Sequence, residues 1–397
     1  MVGVDVTALA NSAKRAGYEV YAVDYFGDVD LRRVCRESLS IIEQEAGRTC
    51  GRLDVDFDPH ALLRLARKLS KRHDIDAALL SSGLEDRHDL IVELSDFVPI
   101  LGNSPELIQR ARDKATFFEE LERLDVPHPE TRAAQTLREA VRAAKELGYP
   151  VVVKPEGGSG GVGIRRADHP GEMEAAYRVA HASARRVLVQ KYVAGTPASS
   201  SLISTPVKAV ALTVNEQLLG IRELGQRESF GYCGNIVPIS ASEDVVNGCK
   251  EIVERVVSHF NLVGSNGVDF VLSGEGAPYV VEVNPRFQGS LECVERTLEI
   301  NVVEAHVAAC VHGMLPAAKR RPSSFCARLV LFAPQRSRVP DLAKFGDVRD
   351  VPLPGVIVEQ GEPVCSIVRE GSVRDSALEG ALATATLILH SLEPLPS

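Results

Sequence analysis

One stretch of sequence decides the fold: Gly267-Val268-Asp269-Phe270-Val271-Leu272-Ser273-Gly274-Glu275-Gly276-Ala277-Pro278-Tyr279-Val280-Val281-Glu282-Val283-Asn284-Pro285-Arg286. Residues 268–272 and 279–283 are rich in β-branched and aromatic side chains and predict two strands joined by a turn at 274–277. With the turn centred there, Asp269 lies directly opposite Glu282. Side chains alternate along a strand, so Glu282, Asn284 and Arg286 project to the same face as Asp269.

This face of the hairpin predicts a metal site. Two carboxylates that face each other across a strand pair repel, so the loss of one of them is expected to relieve the metal-free hairpin. A divalent cation turns that repulsion into coordination, and Mg²⁺ prefers oxygen ligands with room left for phosphates. Asp269, Glu282 and Asn284 are the predicted ligands of Mg²⁺ or Mn²⁺, and Arg286 offers a guanidinium to a bound anion. The alternative is a solvated polar face.

A second motif is rich in glycine. Lys154 ends a short apolar strand at 149–155, and the motif that follows contains Gly157, Gly158, Ser159, Gly160, Gly161, Val162 and Gly163. Glycines let backbone amides approach an anion closely. The lysine precedes the glycines and a strand is predicted after them, which differs from a P-loop, where lysine and Ser/Thr follow and open a helix. Taken alone, the motif favours a mobile surface loop.

Together these motifs resemble the ATP-grasp superfamily, whose metal-binding signature is similar to the Asp…Glu-x-Asn-Pro-Arg pattern. The resemblance implies that Lys114 and Lys154 neutralise the phosphates of ATP and that loop 157–163 is a lid over the triphosphate. It also implies that Gln190 reads the adenine amino edge, within a hinge that continues through Lys191, Tyr192 and Val193 and offers main-chain contacts. The alternative for the hinge is an ordinary buried strand. Residues 194–201 contain no acidic side chain, so no ribose ligand is assigned.

The chemistry implied by the resemblance is ligation. ATP phosphorylates a carboxylate to an acylphosphate, and an amine then displaces the phosphate, which leaves ADP and phosphate. Phosphoryl transfer needs positioning and charge neutralisation more than covalent help. Arg286 and Lys154 are the expected catalytic residues, Glu282 bridges two ions, and the lid excludes water.

Composition restricts the class of protein. The 397 residues are 45% hydrophobic and contain no apolar run near the ~18 residues that span a bilayer. A net charge of −9 gives no electrostatic footprint for nucleic acid or an anionic membrane. The eight cysteines are scattered singly, which argues against zinc or a disulfide framework and for the reducing cytoplasm.

The predicted fold class is α/β, in three regions. Residues 1–103 predict a doubly wound, Rossmann-like domain; residues 104–318 predict the ATP-grasp domain with its central and substrate-side subdomains; residues 319–397 predict a small β-rich cap after a basic linker. The predicted strands are 2–6, 18–24, 77–83, 328–332, 355–358 and 363–368, and the predicted helices are 8–16, 60–73, 245–260, 291–313 and 375–392. Because the first strand is short, we expect the true chain start to lie upstream.

Substrate identity is the least determined point. Arg222, Glu223, Arg227, Tyr232 and Asn235 are either an acceptor wall or surface charge. Residues 17–30 resemble an archaeal or methylotroph-type ATP-grasp group linked to amide ligation. We expect a carboxylate–amine ligase with small-molecule substrates, neither nucleic acid nor membrane as partner, and a homodimer as the assembly to test. A biotin-carboxylase-like enzyme that activates bicarbonate and a non-catalytic ATP sensor are the alternatives.

Overall fold

The computed structural model describes residues 1–158, 160–317 and 321–396, and only the backbone of Asp54. Ser159 and the linker residues Lys319 and Arg320, with the boundary predicted there, lie outside the described residues. The helices are α1 Thr7–Arg15, α2 Val29–Val34, α3 Leu53–Asp56, α4 Pro59–Ser70, α5 His88–Ser95, α6 Pro105–Arg112, α7 Lys114–Arg123, α8 Leu137–Leu147, α9 Met173–His181, α10 Glu243–His259, α11 Leu291–Leu298, α12 Val302–His312 and α13 Arg374–Ser391. None of the described helices is long and apolar enough to cross a membrane.

The strands are β1 Tyr21–Asp24, β2 Glu37–Ser40, β3 Thr131–Ala134, β4 Val151–Pro155, β5 Arg165–Ala167, β6 Val187–Lys191, β7 Gly195–Thr205, β8 Lys208–Leu219, β9 Tyr232–Val237, β10 Gly264–Ser273, β11 Pro278–Asn284, β12 Phe325–Phe332, β13 Ser337–Arg338, β14 Val348–Arg349, β15 Ile357–Val358, β16 Pro363–Gly371 and β17 Glu393–Pro394.

The N-terminal region is built around parallel strands with helices on both faces. β1 pairs with β2 in parallel, and single parallel bridges join Val2 to Val23 and to Leu80. Alternate residues of these strands enter two different cores: Val23 and Leu80 pack with α4 and α5, whereas Ala22 and Leu79 pack with α1 and α2. This arrangement confirms the predicted α/β class.

Two predicted strands of this region are wrong in extent. Residues 2–6 and 77–83 are reduced to isolated bridges at Val2, Ala78 and Leu80. Some backbone pairing continues beside these bridges, because Ser81 N donates to the Val2 carbonyl and Val4 N donates to the Ser82 carbonyl. Asp5 lies just before α1, where its carboxylate accepts from Thr7 N. The predicted helix 291–313 is likewise two helices, because Glu299 adopts a left-handed conformation with φ 51° and Asn301 caps α12 by accepting from Glu304 N.

Antiparallel sheets form the rest of the chain. Eight strands lie in the order β11-β10-β7-β8-β9-β12-β16-β14, and a separate sheet has the order β3-β6-β4-β5. The β-rich C-terminal strands therefore continue the sheet that begins with the β10–β11 hairpin. The predicted division into three domains stays a prediction.

One of the large buried side chains that position the site is Phe260, at the end of α10. It is fully buried and stacks on Phe117 of α7 with ring centroids 5.7 Å apart. Its core also contains Val268 and Val283 of the hairpin. This packing fixes α7, and hence Lys114 at its start, relative to the hairpin.

We therefore predict that Phe260→Ala lowers the free energy of unfolding by about 3–5 kcal/mol, because it removes a buried ring and leaves a cavity. Chemical denaturation measures the change. Val207→Ala is the control: this side chain is 88% exposed, and its truncation should cost less than about 0.5 kcal/mol. Equal effects of the two substitutions would contradict this description of the core.

Candidate active site

The hairpin brings the two predicted acids together through a β-bulge. Asp269 pairs with Glu282, but the next pair is Phe270 with Val280, so Val281 is an extra residue in β11. Without the bulge Asp269 would face Val281, and the two carboxylates would lie on opposite faces. The turn holds through a bond from Gly276 N to the Ser273 carbonyl, with Gly276 at φ +83°.

Asn284 joins the pair as predicted. Its side-chain nitrogen donates to Asp269 Oδ2 at 2.9 Å, and its Oδ1 lies 3.5 Å from a guanidinium nitrogen of Arg112. Gln217 donates to the other Asp269 oxygen at 2.9 Å. Among the described residues no group of three or more His, Cys, Asp or Glu side chains could hold a metal; the set assembled here is two carboxylates and one amide.

The expected repulsion between the two acids is countered by cations, which corrects the expectation that losing one acid relieves the hairpin. Burial raises the pKa of Glu282, but Lys114, Arg112 and Lys154 outweigh it and hold that pKa at about 2. Burial and the neighbouring Glu282 raise the pKa of Asp269 to about 6. Glu282 is thus the permanent charge, and its removal would leave several buried cations without their counter-ion.

Lys114, which is buried, and Lys154, which is half-buried, place two amines beside Glu282. Lys114 Nζ makes no hydrogen bond within the part of the chain described and lies 3.7 Å from Glu282 Oε1. Burial lowers the pKa of Lys114 despite the attraction of Glu282. Lys154 Nζ donates to Gln190 Oε1 at 3.2 Å, and burial together with Lys114 lowers its pKa to about 7. Two adjacent amines, one of them unsatisfied, fit an added polyanion.

The glycine-rich segment connects β4 and β5, so the predicted strand after it is present. Gly158 N donates to Asp86 Oδ2 at 2.8 Å, and the Gly160 carbonyl accepts from Tyr232 N at 3.0 Å. A Cβ on Gly161 would lie 1.9 Å from the Phe230 carbonyl oxygen, so only glycine permits this approach. The other predicted residues of this segment are Gly157, Val162 and Gly163. Val162 is exposed, and the backbone of Gly163 binds Glu228. Ser159 is outside the described residues.

The predicted adenine hinge is the end of β6. Gln190 is buried, and its amide donates to Thr131 Oγ1 at 2.7 Å while its oxygen accepts from Lys154. Lys191 points elsewhere, because its Nζ donates to the Gly148 carbonyl at 2.8 Å. Tyr192 lies under the Arg166 guanidinium at 4.1 Å, and Val193 is half-buried. The structure therefore brings Gln190 to Lys154; the roles of all four residues stay predictions.

Arg286 depends on residues that the sequence interpretation missed. Its Nε donates to Glu85 Oε1 at 2.7 Å, and the adjacent Asp86 accepts from Arg112 Nε at 2.7 Å. These two consecutive acids follow residues 78–80, which form isolated parallel bridges in the N-terminal region. They therefore lie at the carboxyl end of a parallel strand, which is where ligands bind in such sheets. That position, after a predicted strand, was the signal that could have found them.

The residues predicted as an acceptor wall differ in their burial. Arg222, Glu223 and Arg227 are exposed, whereas Asn235 is buried and accepts a hydrogen bond from the hydroxyl of Tyr232. Arg328 lies beside them: its guanidinium donates to the Gly289 carbonyl at 2.9 Å, to Asp350 at 2.8 Å and to Asp5 at 3.1 Å. A cavity of about 590 Å³ lies elsewhere, between α1, α2 and α11, and shares none of the predicted site residues.

Comparison with known proteins identifies the family. A model of the ATP-grasp domain matches residues 111–290, which include both lysines, the glycine-rich segment and the hairpin. The chain contains an ATP-grasp domain. It is 24% identical over 374 residues to an uncharacterized protein of Methanocaldococcus jannaschii, which covers 94% of this chain and 88% of the relative.

Two solved structures show the same ATP-grasp fold. The biotin carboxylase domain of Hydrogenobacter thermophilus 2-oxoglutarate carboxylase, a dimer in complex with MgADP, ADP and bicarbonate, has a TM-score of 0.75 at 16% identity over 99% of this chain and 89% of that one. An L-amino acid ligase from Bacillus licheniformis has a TM-score of 0.71 at 15% identity over 100% and 97%. These likenesses confirm the predicted fold class.

The lowered pKa of Lys154 predicts a pH dependence. Its folded pKa of about 7 lies below that of a free lysine, so above pH 7 the amine is neutral and must take up a proton before it can hold a phosphate. The affinity for Mg·ADP should therefore fall about tenfold or more between pH 7 and pH 9, as measured by calorimetry. Lys154→Arg keeps a permanent charge and should flatten this profile; an equally steep profile in the variant would contradict the assignment.

Proposed function

We propose that this ATP-grasp protein is an ATP-dependent ligase that activates a carboxylate as an acylphosphate and joins it to an amine, with release of ADP and phosphate. One observation carries the proposal: the amines of Lys114 and Lys154 lie beside a carboxylate pair, one member of which, Asp269, accepts a hydrogen bond from the side-chain nitrogen of Asn284. Phosphoryl transfer requires this combination of cations and metal-ligand oxygens in a buried place.

The donor set fits Mg²⁺ or Mn²⁺. Asp269, Glu282 and Asn284 present carboxylate and amide oxygens on one face of the hairpin, which are hard ligands of the kind Mg²⁺ takes while keeping positions for phosphates. The unsatisfied Lys114 Nζ supports a phosphate beside them. When bound, Mg²⁺ neutralises phosphate charge and holds the nucleotide in register with the acceptor.

The chain's own residues bind the phosphates, stabilise the transferred group and exclude water. Lys114 and Lys154 bind phosphate oxygens, and Gln190 orients Lys154 through their hydrogen bond. Arg286, fixed by Glu85, stabilises the charge of the transferred phosphoryl group on the acceptor side. The glycine-rich lid excludes water, which would otherwise hydrolyse the acylphosphate. ATP loses its terminal phosphoryl group to a carboxylate oxygen, and the amine nitrogen later displaces that phosphate and releases a proton.

A carboxylase that activates bicarbonate and passes its carboxyl group to an acceptor is the second candidate, and the Arg286 environment favours it. Arg286 donates to the Phe287 carbonyl and Arg328 donates to the Gly289 carbonyl, so both guanidiniums lie along the same short segment. We propose that they supply the positive charge that holds a small anion. A bicarbonate or a larger carboxylate meets the same cations. We propose small-molecule substrates of this class, a homodimeric assembly and a cytoplasmic location, the last supported by eight free cysteines, five of them buried.

The product test separates these candidates. With ATP, Mg²⁺ and a panel of carboxylates and amines, turnover should yield ADP and phosphate, and hydroxylamine should trap the true carboxylate as a hydroxamate when the amine is left out. AMP and pyrophosphate would contradict the proposal, because they require attack at the α-phosphorus. ADP release that needs bicarbonate and no amine would favour the carboxylase instead.

Glu282→Gln tests the metal assignment. It should lower ATP turnover by about 10²-fold or more, since it removes the permanent charge of the site. It should also lower the free energy of unfolding by about 1–3 kcal/mol, because Arg112 and Lys114 lose their shared counter-ion. Glu275→Gln, in the exposed turn of the same hairpin, is the control and should change neither quantity. Wild-type turnover in Glu282→Gln would refute the assignment.

A further inference from the structure

Arg112 contacts two of the three proposed metal ligands. Its Nη1 donates to Glu282 Oε1 and lies 3.5 Å from Asn284 Oδ1, and its side chain is only 5% exposed. These are the oxygens that a metal ion would also use. A guanidinium and a divalent cation therefore compete for the same acceptor atoms, and their like charges repel at this distance.

The same guanidinium reaches two further parts of the site. Its Nε donates to Asp86 Oδ1 at 2.7 Å, and its Nη2 donates to the Gly158 carbonyl of the lid at 3.3 Å. Asp86 in turn accepts from Gly158 N. Arg112 and Asp86 together therefore bind both the carbonyl and the N–H of Gly158 in the lid. Arg112 thus links the hairpin acids to the lid.

We propose that Arg112 is a positioning residue that makes metal binding depend on nucleotide. Its guanidinium screens Glu282 and Asn284 from a metal ion that arrives alone, and it releases them when nucleotide phosphates supply both metal ligands and a counter-anion. Because the same guanidinium holds Gly158, entry of the metal–nucleotide pair and rearrangement of the lid are one event. The inference rests on the proposed Mg·ATP site.

Charge balance supports this coupling. Four cations (Arg112, Lys114, Lys154, Arg286) lie among four acids (Asp86, Glu85, Asp269, Glu282), so the site is already close to neutral. A bare divalent ion adds unbalanced positive charge to a buried place, which is costly. A nucleotide phosphate chain brings the negative charge that both the metal and Arg112 require.

Titration with Mn²⁺ alone, followed by electron paramagnetic resonance of the free ion, tests the competition. Arg112→Gln should bind Mn²⁺ about tenfold or more tightly than the wild type, since it removes both the competing donor and its charge. Adding ADP should raise the Mn²⁺ affinity of the wild type much more than that of the variant. Arg110→Gln is the matched control: it removes the same charge from α6, but Arg110 lies over the Phe260 ring.

Asp86→Asn gives a second, opposite test. It removes one of the two anchors of Arg112 and leaves the guanidinium on Glu282, so Mn²⁺ alone should bind no more tightly than to the wild type. If Arg112 had a merely structural role, Arg112→Gln and Asp86→Asn would change the Mn²⁺ affinity in the same direction. Hydrogen exchange of residues 156–158 and 160–163 should quicken in Arg112→Gln and in Asp86→Asn. Arg186→Gln, which frees Glu156 at the lid base, should quicken exchange without changing Mn²⁺ affinity.

The outcomes separate this inference from the proposed function. A wild type that binds Mn²⁺ with ADP, together with an Arg112→Gln variant that binds Mn²⁺ alone no more tightly, overturns the role of Arg112 and leaves the ligase proposal standing. An increase of the same size in Arg186→Gln also overturns it, because lid loosening would then be the cause. A wild type that binds no Mn²⁺ even with ADP refutes the proposed site itself.

Discussion

The carboxylate of Glu282 is the charge on which the site depends. It lies across the hairpin from Asp269, and it is compensated by cations from three other elements, α6, α7 and β4. Asp113 explains how two of these cations meet: it ends α6 and caps α7 by accepting from Ala115 N, so Arg112 and Lys114 stand on either side of a helix junction. A continuous helix would place residues i and i+2 on different faces; the junction turns both toward Glu282.

A second guanidinium ties the regions of the chain together. Arg328, on β12, binds Asp5 from the N-terminal region, the Gly289 carbonyl that follows the hairpin, and Asp350 from the C-terminal region. Buried ion pairs add little stability in themselves, because desolvation offsets the attraction, but the loss of one partner is costly. Arg328 therefore specifies one arrangement of the three regions, and that arrangement brings the loop of Glu85 and Asp86 over the hairpin.

The site contains amines whose burial is costly. A buried amine without a hydrogen bond and a lysine with a pKa of about 7 both oppose stability when no anion is bound. The apolar core around Phe117 and Phe260 lies directly behind them. Its packing holds these groups at short distances that their own electrostatics would not select.

The sequence by itself determined the hairpin, the family and the lysine before the glycine-rich segment, because period-two patterning, turn residues and motif order are local properties. It also placed Asp269 opposite Glu282, although only the bulge at Val281 makes that register real. The tertiary structure alone decided which charges compensate Glu282, that Glu85 and Asp86 join the site, and that Arg112 shares acceptors with the predicted metal. These contacts join residues up to about 200 positions apart; no local pattern encodes them, since long-range pairing depends on how whole elements pack.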